Sequence, residues 1–97
     1  MNTNKWKSLT FAQQLGNIGS EISRARHWDE QGDEQARKNS VFRALELIDS
    51  TLDDDRWRAR LKEITRLREV LCDWYSKKNE YQIAPRLLED YCVRFSL

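Results

Sequence analysis

FAQQLGNIGSEISRA, residues 11–25, is the stretch that decides the fold of this 97-residue chain. Its apolar side chains recur at alternating intervals of four and three residues, which places them on one face of an α-helix. They are Phe11, Leu15, Ile18, Ile22 and Ala25. Similar stripes recur in later segments, and each must be buried against another. The sequence therefore predicts an all-α fold, a small up-down helical bundle.

Residues that favour helix ends set the limits of the first two predicted helices. The first helix starts near Ser8 or Thr10, either of which can cap it, and it ends before Gly32. The second helix is capped by Asp33 and extends to about Leu52. Because the connection between them is so short, the two helices should form an antiparallel hairpin.

Two further helices are predicted in the second half of the chain. The third begins in the aspartate run 53–55, which suits a helix N-terminus, and extends to about Lys78. A loop is predicted over residues 79–83, and Pro85 suits the first turn of a fourth helix. The expected bundle has three long helices and a short C-terminal helix. Because that last helix is marginal alone, it must dock onto the others or onto a second subunit.

The chain is expected to form a single domain over residues 9–97, preceded by a flexible, polar N-terminal tail at residues 1–8. Within the first helix, Gly16 and Gly19 fall in one turn, although each glycine costs a helix about 1 kcal/mol relative to alanine. The pair indicates that another helix passes close by. The alternative is that glycine is merely tolerated at these positions.

Charge is unevenly distributed along the chain, although the net charge is only +1. Residues 29–55 carry nine acids and three bases, whereas residues 56–68 carry six bases and one acid. A net charge this small gives no global field that would attract a nucleic acid or a membrane. The near cancellation of the two segments favours their pairing with each other, within the chain or across a dimer.

The basic segment is the strongest candidate for a binding surface. Arg58, Lys62 and Arg66 are spaced to lie on one outward face of the third helix. Arginine offers paired donors to phosphate, and Trp6 in the tail could stack on a base, so this face could contact RNA. The alternative is a solvated face that pairs with the acidic segment.

Two tryptophans and one buried charge complete the candidate residues. Trp6 in the tail and Trp28 near the end of the first helix lie off the apolar stripe and are candidate interface residues. Packing of Trp28 against the turn between the first two helices is the alternative. Arg68 falls in the centre of the third stripe, where a charge needs a partner, and Glu21 is the predicted one. Otherwise only the stem of Arg68 is buried.

The sequence contains no pattern typical of catalysis. His27 is the only histidine, and no carboxylate or cysteine cluster accompanies it at a metal-ligand spacing. There is no glycine-rich phosphate loop, and no serine or cysteine has an identifiable base nearby. The sequence therefore predicts no catalytic, metal-binding or cofactor-binding residue, and a protein that is not an enzyme.

The start of the chain and its cysteines favour a cytoplasmic protein. The first residues, MNTNKWKSL, lack the apolar core of a signal peptide. No apolar run approaches the ~20 residues that a membrane-spanning helix needs, so no membrane association is expected. Cys72 and Cys92 are expected to be buried thiols in a reducing compartment, a disulfide between helices being the alternative.

One part of the chain resembles a known group of proteins. RALELIDSTLDDDRWRARLKEITRLREVLCDWY at residues 43–75, NEYQ at 79–82 and NIGSEISRA at 17–25 are similar to segments of a family of short bacterial proteins of unknown function. The resemblance implies an all-helical, cytoplasmic protein and no particular chemistry.

These features predict a non-enzymatic helical protein-interaction module that works as a homodimer or higher oligomer. The expected partner is a second copy of the chain or another protein. The alternative is an RNA-binding accessory protein that uses the face of Arg58, Lys62 and Arg66.

Overall fold

The computed structural model describes residues 3–76 and 85–96. The all-α class predicted from the sequence is confirmed, and no strand occurs in these two ranges. None of the helices there is both long and apolar enough to cross a lipid bilayer. The elements are α1 (Thr3–Lys7), α2 (Phe11–Glu30), α3 (Glu34–Leu52), a 3₁₀ helix (Asp55–Arg60), α4 (Leu61–Ser76) and α5 (Pro85–Ser96).

Both ends of α2 follow the local signals in the sequence. Thr10 caps the N-terminus: its Oγ1 accepts a hydrogen bond from the Gln13 backbone N–H at 3.1 Å, and Gln13 Oε1 accepts one from the Thr10 N–H at 2.8 Å. At the C-terminus, Gly32 has a φ of +76°. The N–H groups of Gly32 and of the next residue donate back to carbonyl oxygens in the last turn, which is a Schellman motif.

The predicted hairpin of α2 and α3 is confirmed. Asp33 caps α3, since its Oδ1 accepts a backbone N–H of the first turn at 3.0 Å. Arg43 lies 3.0 Å from Glu21 near the middle of both helices. Gln14, in the first turns of α2, donates at 3.2 Å to Asp54, which follows α3. These contacts give an antiparallel pair.

The third predicted helix is wrong in its first turns. Residues 55–60 form the 3₁₀ helix, inside which Trp57 departs from helical geometry with φ −104° and ψ 23°. The α-helix begins only at Leu61. A tertiary contact accounts for the break, because Trp57 Nε1 donates to Gln14 Oε1 of α2 at 3.0 Å and this holds the indole out of helical register.

The second half of the bundle packs on α3 and α2. Arg37, early in α3, donates to the carbonyl oxygen of Trp74 late in α4 at 2.8 Å, while Asp49, late in α3, pairs with Arg68 at 2.7 Å. These two helices are therefore antiparallel. The buried core is built from the apolar stripes of α2, α3 and α4, with Leu15, Ile18, Ile22, Val41, Ile48, Ile64 and Leu71 among its members.

The short helix α5 begins at Pro85 as predicted and docks onto α2. A Cβ placed on Gly19 would lie only 2.9 Å from the Cβ of Cys92, so the two backbones approach closely at this point. The expectation that another helix passes close to this glycine is confirmed. The predicted end of the third helix near Lys78 and the predicted loop at 79–83 lie outside the described residues.

From Thr3 onward, where the structure describes it, the N-terminal segment is not the flexible tail that was expected for residues 1–8. Its described part contains α1, and Trp6 is 0% exposed. Trp6 Nε1 donates to Thr51 Oγ1 at 3.2 Å, and the Trp6 carbonyl oxygen accepts from Gln14 Nε2 at 3.0 Å. Burying so large an aromatic side chain offsets the cost of ordering one short helix. Trp6 is therefore a core residue and not an exposed interface residue.

Candidate functional site

The predicted basic face is exposed but does not lie on one helix. Arg58 is in the 3₁₀ helix, where its guanidinium pairs with Asp55 at 3.2 Å. Lys62 and Arg66 lie one turn apart on α4, beyond the break. The structure thus brings two of the three residues together and separates the third from them by a change of helix type.

Other arginines of the basic segment are held by carboxylates of the same chain. Arg56 Nη2 donates to Asp54 Oδ2 at 2.6 Å, and Arg60 Nη1 pairs with Glu63 at 3.3 Å. Both guanidinium groups also lie 4.5 Å from the centre of an aromatic ring. The charges of residues 29–55 and of residues 56–68 nearly cancel, which favours such pairing within the chain.

The predicted ion pair between Arg68 and Glu21 is wrong. Arg68 pairs with Asp49 at 2.7 Å, and its side chain is 40% exposed, so it lies at the edge of the α3–α4 interface. Glu21 pairs instead with Arg24 at 2.6 Å and with Arg43 at 3.0 Å. The stripe correctly places Arg68 at a helix interface, but the rotation of α4 about its axis turns the guanidinium toward α3 and away from α2.

Trp28 is half-buried at the C-terminal end of α2. Its ring meets that of His27 edge-on, with the ring centres 4.9 Å apart, and its carbonyl oxygen accepts a hydrogen bond in the turn that leads to α3. Trp28 therefore lies at the hairpin turn, and its role as an interface residue stays a prediction.

An apolar groove of about 240 Å³ lies between α4 and α5. Leu67, Val70 and Leu88 line it and are almost fully buried, whereas Leu87 is 60% exposed. Leu87 and Leu88 are consecutive on α5, so they cannot both face α2. The sequence analysis missed this signal, which could have indicated that one of the two side chains is exposed. One of them packs into the core, and the other stands at the open side of the groove.

Polar side chains border this groove on its α4 side. The Tyr91 hydroxyl donates to Glu63 and thereby links α5 to α4. Burial, together with the negative charge of Glu63, raises the pKa of Tyr91, so the phenol keeps its proton and remains a donor. Arg66 also borders the groove, one helical turn from Glu63. The groove thus combines an apolar floor with one acidic and one basic neighbour.

A buried carboxylate joins three segments at the start of the 3₁₀ helix. Asp54 is 4% exposed and accepts hydrogen bonds from the Arg56 side chain, from the Arg56 backbone N–H and from Gln14. The side-chain hydrogen bond from Arg56 is the largest influence, and with the others it outweighs burial and lowers the pKa of Asp54 to about 2. Because the carboxylate is fully engaged, its role is to hold the fold together.

The cysteines are free thiols, so a disulfide between them is not formed. Burial, with a smaller contribution from Glu89, raises the pKa of Cys92 to about 12, which makes it a neutral thiol and a poor nucleophile. Cys72 accepts a hydrogen bond from Arg68 at 3.5 Å. Among the residues that the structure describes, no group of three or more His, Cys, Asp or Glu side chains could hold a metal ion.

These features define a class: a small all-α bundle whose charged side chains are largely paired with one another and whose α4–α5 face carries an open apolar groove. Comparison of the chain with protein-family models, with curated proteins and with solved structures finds no match. The resemblance to a family of short bacterial proteins stays a prediction.

Proposed function

We propose that this chain is a non-enzymatic helical protein-interaction module that acts as a homodimer or higher homo-oligomer. The observation that carries the proposal is the groove between α4 and α5 with Leu87 exposed beside it. Excluding water from an apolar floor and from a neighbouring leucine lowers the free energy by about 25 cal/mol for each Å² buried. A partner that covers this face is therefore favoured.

Leu87 differs from the other exposed apolar side chains of the described chain. Phe42 on α3 is 55% exposed and Leu61 at the start of α4 is 38% exposed, but neither lines the groove. Apolar side chains exposed singly are common on soluble proteins and need no partner. Leu87 lines the groove between α4 and α5, so it stands next to an apolar surface that is itself open.

A second copy of the chain is the partner that this face fits. The face carries both a projecting leucine and a groove that can receive one, so two copies related by a two-fold axis use each feature once. An apolar cavity of about 150 Å³ already accepts a benzene molecule, so a groove of about 240 Å³ has room for a leucine side chain. Another protein with an exposed apolar side chain is the alternative partner.

Binding of RNA has less support as a function. The phosphates of RNA would compete with carboxylates that already pair with Arg56, Arg58 and Arg60. Trp6 is in the core and cannot stack on an unpaired base. Lys62 and Arg66 would add only a small electrostatic contribution.

We further propose that the module works in the cytoplasm. Free thiols at Cys72 and Cys92 support a reducing compartment, where disulfides are rare.

Sedimentation equilibrium tests the proposal on the full chain. A series from low to high micromolar concentration should give a mass that rises from the 11.6 kDa of one chain toward a multiple of it. A mass of one chain across the whole series would contradict the proposal. Circular dichroism of the same samples should show a helical, folded protein.

A further inference from the structure

We draw no further inference here: the strongest candidate, the apolar groove between α4 and α5, belongs to the site already described, and nothing in the structure shows what covers it.

Discussion

Asp54 shows at the scale of one residue how a polar group stabilises this small bundle. Its pKa is lowered from 3.8 to about 2 in the folded chain, chiefly by Arg56. Because the folded value lies below the ordinary one, the ionised carboxylate stabilises the fold above about pH 4. That contribution is lost as the pH falls from about 4 toward 2.

The corresponding prediction concerns Asp54→Asn. The free energy of unfolding of the natural chain should fall by about 2 kcal/mol more than that of this variant between pH 5 and pH 2, because the variant has no proton to take up at this site. Urea unfolding at several pH values, followed by circular dichroism, measures the difference. Asp55→Asn, at the neighbouring 90% exposed side chain, is the matched control and should behave like the natural chain. Parallel curves for Asp54→Asn and the natural chain would contradict the account.

The sequence could predict the roles of residues whose partners are close in the chain. It could not predict the roles of residues whose partners are distant. Thr10, Asp33 and Gly32 act at helix ends through groups within a few residues, so their roles follow from local rules. Arg68 was correctly placed at a helix interface, but its partner depends on how two helices are rotated. Trp6 carries no periodic signal at all, since a five-residue helix is too short to show one.

At the scale of elements, the break between the 3₁₀ helix and α4 is the main departure from the predicted helices. Trp57 fits the apolar spacing of the third helix, and periodicity alone cannot distinguish a continuous helix from two that are joined with a change of geometry. The long-range hydrogen bond from Trp57 to Gln14 stabilises the non-helical conformation at Trp57. This break also divides the predicted basic face, because Arg58 lies before it.

The close approach of α5 to α2 gives a prediction at this scale. Gly19→Ala should lower the free energy of unfolding by about 1–3 kcal/mol, because the added methyl group would lie 2.9 Å from the Cβ of Cys92 and force the helices apart. An isolated helix would instead gain about 1 kcal/mol from this substitution. Urea unfolding shows whether Gly19→Ala lowers or raises the free energy of unfolding. Ser20→Ala, at an exposed position of the same helix, is the control. Greater stability of Gly19→Ala would show that the helices are not tightly packed there.

At the scale of the whole molecule, the apolar stripes were sufficient to predict an all-α bundle and its α2–α3 hairpin. They could not predict the groove, because a groove depends on where α5 settles relative to α4, and α5 packs mainly on α2. The basic surface predicted from charge stays a prediction, but folding changes which of its side chains are available. Arginines that look available in the sequence are paired once the chain has folded, and the unfilled surface is apolar.

The most direct test of the central claim compares two exposed apolar side chains by sedimentation equilibrium. Leu87→Ser removes the side chain assigned to the groove of the second copy, and Phe42→Ser removes one of similar exposure on α3. Burial of a leucine contributes about 1.5 kcal/mol or more and occurs twice in a two-fold pair, so Leu87→Ser should raise the dissociation constant about a hundredfold. Phe42→Ser should leave it unchanged. Equal association of the natural chain and both variants would contradict the claim that the α4–α5 face is the interface.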